Sequence, residues 1–283
     1  MQTRTRASTR SSARRRTRAV ALTCALLGVG ALSDSAQAGP FNLVPVDAAD
    51  PVAFATGVVE LIRGPIDPAQ PELGLATVGD PAFALGPATG MSADVVSLGN
   101  GGSITLSFDS GIRDGIGADF AVFENGFAFQ DDTFGELAFV EVSSNGTDFA
   151  RFLSISLSPG PIGDFDPVDP TNVSNLAGQF VAGLGTPFDL GELSGDALVI
   201  AGLVDLANIS FVRIVDVVGD GSTFDSQGNP IFDPFPTAFG SSGFDLEAVG
   251  VLNTVRDVPE PTLGALFALG LLALGRRRRA RAA

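Results

Sequence analysis

Oxygen ligands gather in two stretches of the chain. The first is Asp114-Gly115-Ile116-Gly117-Ala118-Asp119, followed by Glu124-Asn125. Glycine permits tight turns, so several of these oxygens can converge on one point. Carboxylate, amide and carbonyl oxygens are hard ligands, and the extracellular cation they suit is calcium. Asp119 and Glu124 lie five residues apart, so on a regular strand they point to opposite faces. Convergence therefore requires a bend after Phe123. A solvated turn, with Glu124 paired to Arg113 or Arg213, accommodates the same residues without a metal.

The second stretch runs Asp216-Val217-Val218-Gly219-Asp220-Gly221 and continues to Asp225 and Asp233. Its first six residues resemble an EF-hand loop, with acids at positions one and five and Gly at six. Position three is Val218 and position twelve is Gln227, which argues against a working EF-hand. An irregular calcium loop that also uses Asn229 stays open, as does an acidic, solvated excursion. Asp245 and Glu247 fall two apart on a predicted final strand and so share a face. In a sandwich with adjacent ends they would close a site with the first stretch.

What is missing narrows the chemistry further. The chain has no His, Lys, Tyr or Trp, and its one Cys is Cys24. Ser-His and Cys-His nucleophile pairs, Lys Schiff bases and His zinc sites are therefore excluded. A glycan hydrolase built on two carboxylates is the enzyme class left. It would lack the Tyr and Trp platforms that sugars stack on. The expectation is a protein that is not an enzyme.

All 17 cationic side chains are Arg, and twelve of them sit at the two ends of the chain. Between Gly39 and Asp257 only Arg63, Arg113, Arg151, Arg213 and Arg256 stand against 30 acidic residues, a net charge of −25. Such a body repels nucleic acid phosphates. It attracts metal cations, and the same charge keeps an exported protein soluble.

The elements that would position these residues read as all-β. Runs of Val, Ile, Phe and Thr alternate with Gly, Pro, Asn and Asp clusters. Residues 103–108 alternate cleanly, 119–123 are apolar on both faces, and 137–143, 209–217 and 244–252 are further strands; 58–62 is a sixth candidate. Ser144-Asn145-Gly146-Thr147 forms a hairpin turn, with Asn-Gly supplying positive φ angles, and 149–157 returns as its partner. Segments 158–175 and 219–243 read as long loops, which in a compact domain are commonly functional. Phe232, Phe235 and Phe239 either pack the second loop down or form a patch for partner or polysaccharide contact.

Both ends of the chain carry address signals. Seven Arg between Arg4 and Arg18, an apolar run from Ala19 to Leu32 and the small residues Ala36 and Ala38 have the form of a signal peptide over 1–38. A body over 39–252 and a linker over 253–257 lead into the segment 258–283. There Pro259-Glu260-Pro261 precedes an apolar run of 13 residues from Leu263 to Gly275, closed by Arg276, Arg277, Arg278 and Arg279. As a helix this run is roughly 20 Å long, a marginal membrane span that the arginines extend and orient, keeping their end cytoplasmic.

This arrangement resembles the PEP-CTERM sorting signal of exported bacterial proteins. The resemblance implies an exosortase-type membrane protease as partner. It also implies a membrane-anchored stage and delivery to the surface or extracellular matrix of a Gram-negative cell that makes exopolysaccharide. Within the body, Glu141-Val142-Ser143-Ser144-Asn145-Gly146-Thr147-Asp148-Phe149 and Ser210-Phe211-Val212-Arg213-Ile214 resemble segments of discoidin and galactose-binding-like jelly rolls. The fold expected is a jelly-roll-like β-sandwich with long acidic loops, an N-terminal signal peptide and a C-terminal hydrophobic helix. The function expected is a structural or adhesion-type binding role, stabilised by calcium. A carbohydrate-binding module is the alternative.

Overall fold

The computed structural model describes residues 39–255, apart from 92, 130 and 131. In chain order its strands are β1 (Val46–Asp47), β2 (Ala53–Phe54), β3 (Gly57–Ile62), β4 (Val96–Ser97), β5 (Ser103–Ile112) and β6 (Phe120–Glu124). There follow β7 (Phe127–Phe129), β8 (Asp132–Phe134), β9 (Ala138–Ser143), β10 (Ala150–Arg151), β11 (Ile155–Ser156) and β12 (Val173–Ser174). The last five are β13 (Leu184–Phe188), β14 (Ile209–Asp216), β15 (Asp220–Phe224), β16 (Pro230–Phe232) and β17 (Asp245–Val251). One α-helical turn, α1, spans Ala197–Ile200.

Two antiparallel sheets form a β-sandwich. One has the order β1-β13-β6-β17-β2, with β4 also pairing with β17, and the other is β10-β9-β14-β5-β3. Period-2 alternation builds the core, because every second residue of a strand faces the same way. Ile104, Leu106 and Phe108 of β5, Val140 and Val142 of β9, and Val212 and Ile214 of β14 bury against Phe120 and Val122 of β6 and Val249 and Val251 of β17. Phe120 stacks on Phe188 at 5.4 Å, and Phe152 meets both edge-on at 5.9 and 5.0 Å. Edge-to-face and offset-stacked rings are the arrangements that the aromatic quadrupole favours.

Two loop readings change. The 219–243 segment folds back as the β15–β16 hairpin. Together with 162–176 it forms a second small core, in which Val168, Val173, Leu176 and Ile231 cover Leu137, Phe139 and Val217. The hairpin is hidden in the sequence because β15 carries Asp, Gly, Ser and Thr where a strand signal needs apolar residues. At the 144–147 turn only Gly146 takes a positive φ, of 75°. Asn145 instead folds its side chain over the turn, where Oδ1 accepts from Thr147 N and Asp148 N at 2.8 and 2.9 Å.

The connections sort to two ends. β6 runs from Phe120 to Glu124 and β17 runs back beside it from Asp245 to Val251. The β5–β6 loop, the β13–β14 connection and residues 252–255 therefore meet at the Asp119 end. The β6–β9 and β14–β17 connections meet at the Glu124 end.

Candidate functional site

Asp119 stands immediately before β6 and is fully buried. Its Oδ1 accepts from Gly115 N at 2.7 Å and from Asn253 Nδ2 at 2.8 Å, and its Oδ2 accepts from Leu190 N at 2.8 Å. One carboxylate thus ties together the three loops of this end, whose amides have no ladder partner of their own. Asp189 caps the 3-10 turn Leu190–Gly195, its Oδ1 accepting from Gly191 N at 2.8 Å. Burial raises the Asp119 pKa above its ordinary value, and the neighbouring charge of Asp189 adds to the rise. One oxygen each from Asp114, Asp119 and Asp189 lies within 4.8 Å of the others. This acidic triad could hold a metal ion. Asp114 is exposed and Asp189 half-buried, so the group opens to solvent on one side. Arg113 turns away, its Nε donating to Thr254 O at 2.8 Å.

At the Glu124 end, Glu124, Glu136, Asp216, Asp233 and Asp245 are all buried. Asp216 Oδ1 accepts from Phe244 N at 2.6 Å and its Oδ2 from Gly101 N at 2.7 Å. Asp233 Oδ2 accepts from Leu137 N at 2.8 Å, Glu124 Oε2 from Gly126 N at 2.6 Å, and Glu136 Oε1 from Thr237 Oγ1 at 2.7 Å. Asp245 accepts from Ser97 Oγ on one oxygen and from Asn125 Nδ2 at 3.2 Å on the other. Each acid secures a segment of irregular backbone or a neighbouring side chain. Glycine makes room for one of them: a Cβ on Gly219 would sit 1.6 Å from Asp233 Oδ1.

Burial and mutual repulsion govern how these acids titrate. Burial pushes Asp216 up to about 8, against the hydrogen bonds from Phe244 and Gly101. Burial also raises Asp245 to about 6, while Ser97, Asn125 and the charge of Arg63 oppose the rise. Glu124, Glu136 and Asp233 rise well above the carboxylate range, through burial first and through neighbouring acids second. Arg63 donates to the carbonyls of Val78, Ser97 and Gly79 at 2.6–2.8 Å.

The structure separates most of the residues that sequence grouped together. Asp119 and Glu124 stand at opposite ends of β6, roughly 16 Å apart along an extended strand. Asp245 and Glu247 accompany Glu124, so they do not close a site with Asp114 and Asp119. The bend that such convergence needed is absent, because β6 runs straight on to Glu124. Among the described residues Glu124 has no Arg partner either: both Arg213 and Arg151 clamp Glu141. Asp220 is exposed and accepts from Ser222 N at 2.8 Å. Asp225 lies in the β15–β16 turn. Burial pushes its pKa up, but donors from Ser156, Asn229 and Gln227 outweigh that and hold it low. Glu247 Oε1 accepts from Thr89 N and Gly90 N, both at 2.6 Å. Asp189 and Glu136 are not legible in the sequence, because no short-range spacing links either to the residues it joins. The only local signal was Asp189 preceding Leu-Gly-Glu, which marks a cap.

The signal residues Ala36 and Ala38, the motif Pro259, Glu260 and Pro261, the arginines 276–279 and the expected membrane helix all lie outside the described residues. Among the described residues no helix is long and apolar enough to cross a membrane. The PEP-CTERM protein-sorting motif matches residues 257–279. The chain carries a PEP-CTERM sorting signal. The signal marks an exported, surface-sorted protein with a membrane-associated stage and processing by an exosortase, a membrane protease. The match begins two residues after Val255, so the sorting segment leaves the sandwich at the Asp119 end. No curated protein matches the chain.

Proposed function

We propose that the protein is a non-enzymatic component of the cell surface or extracellular matrix, with a structural or adhesion-type binding role, and that calcium at Asp114, Asp119 and Asp189 stabilises it. The observation that carries this is the approach of three carboxylates to within 4.8 Å on a body of charge −25. Three hard oxygen donors of like charge attract a hard cation, and the loop carbonyls and water around them complete the coordination that calcium takes. The absence of His, Lys, Tyr and Trp supports a role without catalysis.

A thermal melt tests the metal. Calcium raises the melting temperature of the wild-type protein and a chelator reverses the rise. D114N removes the calcium increment while leaving metal-free stability within about 0.5 kcal/mol, as befits an exposed position. A melting temperature indifferent to calcium would sink the metal reading.

Carbohydrate binding is the second reading. Phe165 and Phe239 favour it: both are more than half exposed, and their rings lie 6.1 Å apart. Binding to a glycan array at fixed salt, lost in F239A, supports this reading; a flat array counts against it.

A further inference from the structure

The Asp119 end has a second property that the acidic triad does not use. Ile116, at the tip of the 113–118 loop, is fully exposed, and Ile200 is 74% exposed. Leu203 and Val255 are also exposed. These four residues belong to loops joined to one another. Asp114 N donates to Leu206 O at 2.9 Å, Arg113 N to Asn253 O at 3.0 Å, and Asn253 Nδ2 to Asp119 Oδ1 at 2.8 Å. A Cβ on Gly111 would touch Val255 at 2.8 Å. The exposed apolar residues therefore belong to one bonded set of loops at this end.

That end is also where the body meets its tail. The sorting motif begins at residue 257, and the apolar run begins at Leu263, eight residues beyond Val255. Fully extended, eight residues span at most about 28 Å. While the tail is uncut and associated with the membrane, the Asp119 end stays within that reach of the bilayer. A short tether makes even a weak contact effectively intramolecular. Asp114, Asp189, Asp196 and Asp205 belong to the same loops, with Arg113 as their cation among the described residues, so anionic headgroups are disfavoured and zwitterionic ones are not.

We propose that the Asp119 end is a lipid-docking face, which lays Ile116, Ile200, Leu203 and Val255 against a zwitterionic phospholipid surface in the uncleaved precursor. This goes beyond the proposed binding role and does not depend on calcium. Because the chain has no Trp or Tyr, a single introduced Trp reports without background. Full-length I116W and F239W are reconstituted into phosphatidylcholine vesicles whose acyl chains carry bromine near the headgroup. The vesicle-bound fraction is read after flotation. I116W emission shifts to the blue and loses at least half its intensity to bromine. F239W, at the Glu124 end, does neither. Equal behaviour of the two reporters overturns the proposal. In an I200W background, adding I116D reduces bromine quenching at least twofold. Unchanged quenching there counts equally against the docking face.

Discussion

At the Asp119 end, three carboxylates stand within 4.8 Å of one another with one side open to water. At the Glu124 end, Glu124, Glu136, Asp216, Asp233 and Asp245 are buried, and each accepts from neighbouring backbone or side-chain groups. The residue types are the same, and solvation separates their chemistry. An acid that keeps water on one side can stay ionised and offer an oxygen to a cation. A fully enclosed acid with like charges around it gains by holding its proton, and becomes a neutral hydrogen-bonding clasp.

The sharpest way to break this contrast is to remove the one acid of the open end that is itself fully buried. D119A strips the acceptor from Gly115 N, Leu190 N and Asn253 Nδ2 together. An unsatisfied buried donor costs about 1–3 kcal/mol; Leu190 N is buried and the other two donors are half-buried, so chemical denaturation should show a loss of about 2–4 kcal/mol. A loss below 1 kcal/mol would mean that the three loops do not depend on Asp119.

An effect of comparable size appears in the pH dependence. Asp216 titrates near 8 in the fold, against an ordinary value of 3.8. Between those values the folded state binds more protons than the unfolded chain. Stability is therefore full at low pH and falls as pH rises toward 8, by up to about 1.4 kcal/mol per pH unit for this group. Asp245, at about 6, adds to the fall only at lower pH. Asp225, shifted the other way, loses its contribution below its ordinary 3.8 and does not oppose the trend. The melting temperature should drop between pH 5 and pH 8, and D216N should flatten the slope above pH 6. A melting temperature that rises over that range would show that the Glu124 end holds charged acids.

The mildest test is T237V, which removes the hydroxyl that donates to Glu136 Oε1. One net hydrogen bond is worth about 0.5–1.5 kcal/mol. With Glu136 protonated, the variant should lose no more than that in denaturant titrations. A loss several times larger would indicate an ionised Glu136.

Sequence revealed more of the fold than of the site, for physical reasons. Apolar runs bounded by Gly, Pro, Asn and Asp clusters locate β5, β9, β14 and β17 to within a few residues, and in β5 the period of two also marks the face that meets the core. β13 escapes this, since Gly185 and Pro187 interrupt its pattern; Pro187 is tolerated because β1 pairs only with Leu184 and Gly185, which leaves Pro187 an edge position beside β6. Asp114 and Asp119 were legible as neighbours across a glycine turn. Asp189 was not, because it reaches them only once β13 pairs with β6. At the other end, no local spacing distinguishes an acid that will be buried from one that will be solvated. That depends on the 217–244 segment folding over it.

The few arginines of the body have a further consequence. Arg151 and Arg213 are both engaged with Glu141, with their guanidinium groups over Phe139 and Phe149. Arg63 faces backbone carbonyls, and Arg113 donates to Thr254 O. Among the described residues, four guanidinium groups, all engaged within the domain, are all that is left to bridge one copy to another. Crowded at a surface, such domains behave as a polyanion layer, whose spacing is set by counterions over the screening length of about 8 Å at physiological salt. A coat of them should swell in dilute medium and tighten when divalent ions arrive.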